Sequence, residues 1–247
     1  MKRFLNFTAL AIAVCAIAVT LSSLLTPMQA VPAPILLSQN VNFPPPDVTA
    51  PDNRRGATHR GEACPKDLSI IPLIPKSNDG LTLGESPTFF AYVSHSSTQV
   101  EFTLQDTDEK GTEVYKTTFK VDKPGIVEVS IPAIGDGQKF LEIGQRYQWS
   151  FSVVCDQKDR SGDYFVYGVV QRIEPQETLK NDLANADPMA RAIAYAKNGI
   201  WYETLATLAQ MRRLAPDDSR LRAEWTELLE SQGLTSVADQ PLVQSFE

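Results

Sequence analysis

Apolar and polar side chains alternate most clearly in residues 147–153, which read Tyr-Gln-Trp-Ser-Phe-Ser-Val. A strand points successive side chains to opposite faces, so one face of this segment is aromatic and aliphatic while the other is polar. The phase places Trp149 on the apolar face and predicts that it belongs to the core. The segment therefore predicts a half-buried strand of an antiparallel sheet, with one face on the core and the other in water.

The same period of two recurs between residues 64 and 173. Further strands are predicted over residues 69–74, 89–93, 100–105, 114–119, 127–131 and 164–173. Turn-forming residues separate these segments, and about seven short strands over about 110 residues are typical of a two-sheet sandwich. We therefore expect an antiparallel β-sandwich of the immunoglobulin or fibronectin type over residues 64–173.

The period becomes helical after residue 174. Asp187 and Pro188 predict a helix start, because Asp is a good N-cap and Pro fits the first helical position. Around Tyr195, Gly199 and Leu208 the pattern resembles one tetratricopeptide (TPR) unit, and the alternative is a plain helical hairpin packed on the sandwich. The sequence predicts an α+β protein with a small C-terminal helical subdomain, residues 174–247.

The first 63 residues are predicted to form an export signal followed by a tether. Residues 1–30 combine the cations Lys2 and Arg3 with a long apolar run and small residues at its end, as in a secretory signal peptide. The alternative is an uncleaved membrane anchor. Residues 31–63 are rich in proline and predict a disordered tether. We expect a periplasmic or extracellular protein without a membrane span after cleavage of the signal.

Two cysteines, Cys64 and Cys155, remain after removal of residues 1–30. An even pair in an exported chain predicts one disulfide, because the destination is oxidising. The alternative is two buried free thiols.

Three aromatic residues are candidates for binding. Phe165 and Tyr167 lie in a strand that is apolar on both faces, so one face is free to meet a partner or a sugar ring. Tyr202 lies one position off the apolar stripe that includes Trp201, which predicts that Trp201 is core and Tyr202 is exposed. The alternative for each of the three is burial in the core.

Charge adds two weaker candidates. The tether ends in a basic run that includes Arg54, Arg55 and Arg60, and this run either contacts an anionic surface or only keeps the tether solvated. The net charge of −7 argues against general binding to nucleic acid.

The loop of residues 156–163 carries three carboxylates, Asp156, Asp159 and Asp163. Closely spaced carboxylates in a loop are weak candidates for Ca²⁺ ligands. The alternative is an ordinary turn, in which Asp, Ser and Gly are common. No metal site and no cofactor are otherwise predicted.

Seven short sequence motifs follow one another along the chain. They lie at residues 54–61, 85–90, 124–127, 144–149, 155–161, 199–202 and 225–229. Together they resemble an exported cyanobacterial family of uncharacterised proteins catalogued as domain of unknown function 928. The resemblance implies a cyanobacterial-type source and an exported location, and it supplies no catalytic residues.

The expected function follows from the chemistry that the sequence lacks. Only two histidines, His59 and His95, are present, which excludes most histidine-based triads and multi-histidine metal sites. We expect a non-enzymatic interaction protein of the envelope with a protein partner. The alternative is a carbohydrate-binding module that acts on cell-wall or extracellular glycan.

Overall fold

The computed structural model describes residues 40–44, 64–107, 111–132 and 140–246. Within these residues the chain is an α+β structure with two mixed β-sheets of four and five strands and a helical C-terminal part. The strands of this described part are β1 (Ile70–Pro72), β2 (Asp79–Thr82), β3 (Thr88–Val93), β4 (Thr98–Asp106), β5 (Glu113–Val121), β6 (Gly125–Ser130), β7 (Arg146–Val153), β8 (Tyr164–Arg172) and β9 (Leu242–Phe246). The predicted signal peptide, residues 1–30, lies outside the described residues.

The sheets are mixed because each has one parallel edge strand. The strand orders are β1-β3-β6-β9 and β2-β8-β7-β4-β5, and β2 runs parallel to β8 while β9 runs parallel to β6. The prediction of a purely antiparallel sandwich is therefore wrong at both edges. A period of two identifies a strand, but the direction of its neighbour depends on the path of the connecting chain.

The two sheets pack face to face through their aromatic side chains. Phe89 of β3 lies with its ring centroid 5.0 Å from that of Phe102 on β4 and 5.3 Å from that of Trp149 on β7. Trp149 is fully buried, which confirms its prediction as core. The seven strands predicted from the sequence correspond to β1 and β3–β8.

The helices follow the predicted pattern closely. They are α1 (Glu177–Ala184), α2 (Pro188–Lys197), α3 (Trp201–Leu214), α4 (Ser219–Ser231) and the short α5 (Thr235–Ala238). The Asp187 side chain accepts a hydrogen bond from the Ala190 N–H at 2.8 Å, as expected of an N-cap. Gly199, at φ 71°, makes the turn between α2 and α3.

Helices α3 and α4 cover the outer face of the four-stranded sheet. Phe90 of β3 lies 6.4 Å from Trp225 of α4, and Arg213 of α3 pairs with Glu128 of β6 at 2.6 Å. The predicted boundary after residue 173 separates β8 from α1, but both parts share one hydrophobic core. Strand β9 also returns from the helices to the sheet.

Part of the predicted tether packs against the helices. Val41 and Phe43 are buried, whereas the sequence predicted a disordered tether over residues 31–63. Apolar side chains at alternate positions explain the difference, because they offer burial that the surrounding prolines and polar residues do not. Residues 31–39 and 45–63 lie outside the described residues.

Candidate functional site on the open face of the five-stranded sheet

Helix α1 packs at the β2 edge of the outer face of the five-stranded sheet, where Leu179 clusters with Leu81. The remainder of this outer face is formed by β4, β5, β7 and β8 and includes the exposed ring of Phe165. We call this surface the open face. Its side chains come from β4, β5, β7 and β8, and the strand register brings them together in two rows. They are Thr118, Glu101, Ser152 and Phe165 in the first row and Lys116, Thr103, Ser150 and Tyr167 in the second.

A charged cluster occupies one corner of the open face. Glu101 accepts hydrogen bonds from Arg160 Nη2 at 3.1 Å and forms an ion pair with Lys116 Nζ at 3.0 Å. Arg160 also pairs with Asp163. Burial by itself would raise the pKa of Glu101, but the hydrogen bonds and charges of Arg160 and Lys116 outweigh it and lower that pKa. Partly exposed ion pairs of this kind add little stability.

A neutral strip with two aromatic rings lies beside the charged cluster. The hydroxyls of Thr103 and Ser150 hydrogen bond across the strands at 2.7 Å. The structure places both predicted aromatic residues on this face: Phe165 is 42% exposed, and Tyr167 is half-buried. An accessible aromatic ring next to fixed polar groups is a suitable anchor for a protein or a sugar.

A shallow cavity of about 410 Å³ lies at the end of the sheet that carries the charged cluster. Hydroxyl and amide side chains line much of it, among them Thr98, Gln99 and Gln157, and Gln157 Nε2 donates to Gln99 Oε1 at 2.9 Å. Gln99 lies two residues before Glu101 on β4 and so points to the same face. Sequence reasoning missed this cavity because its walls come from three separate segments of the chain.

A serine, a histidine and an aspartate meet at the rim of the cavity. His95 Nδ1 lies 2.8 Å from Ser94 Oγ, and His95 Nε2 lies 3.3 Å from Asp67 Oδ1. A catalytic triad uses a buried acid to orient the imidazole. The Asp67 side chain is instead 85% exposed, and Ser94 Oγ already accepts a hydrogen bond from the Ser69 N–H at 2.8 Å. The arrangement fits a contact between two loops.

The predicted calcium loop is held by its own carboxylates. Asp156 accepts from the Lys158 N–H at 2.8 Å, Asp159 caps the short 3-10 turn at Ser161, and Asp163 accepts from the Cys155 N–H at 3.1 Å. These hydrogen bonds are typical of a turn, and each of the three carboxylates binds a different donor. No group of three metal-ligating side chains occurs among the described residues, and this weak candidate is not supported.

The disulfide between Cys64 and Cys155 is present, with a Cα–Cα distance of 5.0 Å. It confirms the predicted pairing and excludes the alternative of two free thiols. The bond ties the start of the described 64–107 segment to the loop after β7, next to the cavity. The same loop presents Arg160 to the open face, so the disulfide supports the site.

The prediction that Tyr202 is an exposed binding residue is wrong. Tyr202 is only 2% exposed, and its hydroxyl accepts from Trp149 Nε1 at 2.6 Å and donates to the Val169 carbonyl at 3.2 Å. Trp201 is buried, as predicted. Gly80 makes room for the buried ring, because a Cβ atom there would lie 2.5 Å from the Tyr202 ring. Sequence reasoning had no signal for this contact, since the two residues lie far apart in the chain.

The remaining predicted binding residues, Arg54, Arg55 and Arg60, lie outside the described residues. In the part of the chain that the structure describes, no helix is long and apolar enough to cross a membrane.

The chain is thus an α+β protein of two mixed sheets. Helices α3 and α4 cover the outer face of one sheet, and the open face lies on the outer side of β4, β5, β7 and β8 in the other. The family model of the Domain of Unknown Function 928 (DUF928) matches residues 55–242. The chain therefore belongs to the DUF928 family. A search of curated proteins finds no match to the chain.

Proposed function

We propose that the protein is an exported, non-enzymatic interaction protein of the cell envelope, periplasmic or extracellular, and that its open face binds a protein partner. One contrast carries this proposal. Helices α3 and α4 cover one outer sheet face, whereas the other presents the exposed ring of Phe165 beside a fixed charged cluster. Aromatic anchors next to charged side chains are typical of interface hot spots. The acids near this face are already engaged in ion pairs and turns, which favours binding over catalysis.

Export is tested by N-terminal sequencing of the native protein. The signal-peptide layout of residues 1–30 supports a mature chain that begins near Val31. A soluble cytoplasmic protein that begins at Met1 would contradict export.

The binding surface is tested by capture of partners from the native envelope fraction with immobilised variants. Phe165→Ala removes the exposed anchor and should weaken capture about tenfold, the effect of losing a hot-spot side chain worth about 1.4 kcal/mol. Leu214→Ala is the matched control, because Leu214 is 80% exposed on α3, away from the open face. Equal capture by both variants, with thermal unfolding unchanged, would rule out the open face.

Glycan binding is the second candidate function. The neutral hydroxyl pair of Thr103 and Ser150, next to Phe165 and Tyr167, favours it, because aromatic rings and hydroxyls suit an uncharged, polyhydroxylated ligand. Isolated cell-wall and extracellular polysaccharides provide the test. Tyr167→Ala and Phe165→Ala should each reduce retention on the polysaccharide, and retention that neither change alters would exclude this site.

Three finer assignments complete the proposal. The face-to-face packing of the two sheets supports an immunoglobulin- or fibronectin-like arrangement. The packing of α2 on α3 around Gly199 supports a TPR-like helix pair. The resemblance of the seven sequence motifs to the DUF928 family supports a cyanobacterial-type source. An experimental structure with a second helix pair stacked on the first in repeat fashion would support the TPR assignment. A pair that packs only on the sheets would contradict it.

A further inference from the structure

A short extended segment is docked against the C-terminal helices. Residues 40–44 read Asn-Val-Asn-Phe-Pro, and the side chains of Val41 and Phe43 are buried while those of Asn42 and Pro44 are exposed. Alternate burial is the pattern of an extended chain with one face on an apolar surface. The segment therefore binds as a peptide ligand would bind, through every second side chain.

The contacts of this segment lie between α3 and α4. The Phe43 ring packs edge-on against Trp201 of α3, with a centroid distance of 5.1 Å and an interplanar angle of 83°. The Val41 backbone N–H donates to Glu224 Oε2 of α4 at 2.7 Å, and Asn40 Nδ2 donates to Glu227 Oε2 at 3.4 Å. We call the surface formed by Trp201, Glu224 and Glu227 the helical groove.

The buried carboxylate is the most informative part of the helical groove. Glu224 is only 5% exposed, and a buried carboxylate is costly unless it accepts hydrogen bonds. Its donor here is a backbone N–H, which any residue except proline can supply. The Glu224 carboxylate therefore accepts a hydrogen bond from the ligand backbone, while the Trp201 ring packs against the ligand side chain two residues later. Together these contacts recognise both the backbone and the shape of an extended peptide.

We propose that the helical groove is a peptide-binding site that residues 40–44 occupy in cis. Its ligand class is an extended peptide with an apolar residue that keeps its N–H, followed two residues later by an aromatic residue. A partner with such a segment would bind by displacing residues 40–44. This site is separate from the open face and does not depend on it.

A free peptide must compete with a segment of the same chain. Because residues 40–44 and the helical groove belong to one covalent chain, their binding is intramolecular, and such binding has a high effective concentration. A free peptide of the same sequence should therefore bind the wild-type chain at least about tenfold more weakly than it binds a chain whose own segment is disabled.

The test uses the mature chain with Val41→Asp and Phe43→Ala together, which disables the segment in cis. A fluorescent peptide of residues 38–46 is titrated with this variant and with the wild-type chain, and binding is followed by anisotropy. We expect saturable binding to the variant. Peptides that carry Val41→Pro, which removes the N–H donor, or Phe43→Ala should each bind at least about tenfold more weakly.

Changes in the helical groove provide the matched comparison. In the disabled chain, Glu224→Gln should weaken the peptide about tenfold, because a hydrogen bond to a charged acceptor becomes a neutral one. Glu227→Gln is the control and should change affinity less than about threefold, since its contact with Asn40 is long and exposed.

A second format covers failure of the double variant to fold. A protease site placed between residues 46 and 54 leaves the docked contacts intact, and the cut segment should then dissociate on dilution and be replaced by added peptide. Absence of saturable peptide binding in both formats overturns the proposal. A wild-type dimer that exchanges residues 40–44 between copies would also overturn it, because the occupant would then be a second copy.

Discussion

Tyr202→Phe should destabilise the protein by about 2 kcal/mol although it removes a single oxygen atom. The hydroxyl of Tyr202 accepts from Trp149 Nε1 at 2.6 Å, and both side chains are buried. Without that hydroxyl the indole N–H stays buried without its acceptor, and leaving a buried polar group unpaired costs about 1–3 kcal/mol. The ring of Tyr202 remains in the phenylalanine variant, so its packing against Phe89 and Gly80 is kept.

Urea unfolding of the wild-type and variant chains measures this cost. Tyr202→Ala should cost more, about 3–5 kcal/mol, because it also leaves a cavity. Tyr195→Phe is the matched control, since Tyr195 is half-buried beside α1 and its loss should stay within about 0.5 kcal/mol. A Tyr202→Phe protein as stable as the control would refute the view that this hydroxyl joins α3 to β7.

Two further predictions concern pH and the disulfide. Burial raises the pKa of Glu203, and this effect outweighs the hydrogen bonds from Thr82 and Leu83, which lower that pKa. A carboxyl with a raised folded-state pKa adds stability below its unfolded-state pKa of about 4.3, and this stability is lost as the pH rises through the folded-state pKa. The wild type should therefore lose stability relative to Glu203→Gln as the pH rises above about 4.3, in urea unfolding measured at a series of pH values. Cys64→Ser opens a cross-link between residues 91 positions apart and should cost about 4 kcal/mol in the same assay, whereas unchanged stability would show that the disulfide with Cys155 does not constrain the unfolded chain.

The local patterns predicted most of the elements. Residues 147–153 alternate strictly and form most of β7, and Asp187 with Pro188 begins α2 at the expected residue. Both signals depend on neighbours in the chain, so the sequence alone contains them. The disulfide was predictable for a different reason, because only Cys64 and Cys155 remain after the predicted signal peptide, and two cysteines allow one intramolecular pairing.

The two parallel edge strands were not predictable from local patterns. Strand β2 (Asp79–Thr82) directly follows Asn78, whose φ is 61°. The residue types Asn78-Asp79-Gly80 are typical of a turn, so the local sequence favours a turn over a strand here. Strand β9 follows five consecutive helices in the described part of the chain and pairs with the free edge of β6, a neighbour that local patterns do not indicate.

The candidate site was predictable only in part. Phe165 and Tyr167 were identified because β8 is apolar on both faces, and the structure places them on the open face. The partners Glu101 and Arg160 lie far apart in the sequence, so no spacing indicated their ion pair. Tyr202 was misplaced because a single helical stripe allows for one packing surface, whereas the start of α3 also packs on the sheets.

Photo-crosslinking at position 165 tests the central proposal, an open face that binds an envelope partner, most directly. The photoreactive amino acid p-benzoylphenylalanine replaces Phe165 in one version of the full chain and the exposed Leu214 in another. Both chains are expressed in the native cell and irradiated. The proposed function predicts a defined covalent adduct from position 165 in the envelope fraction and none from position 214. An adduct from position 214 without one from position 165 would contradict it.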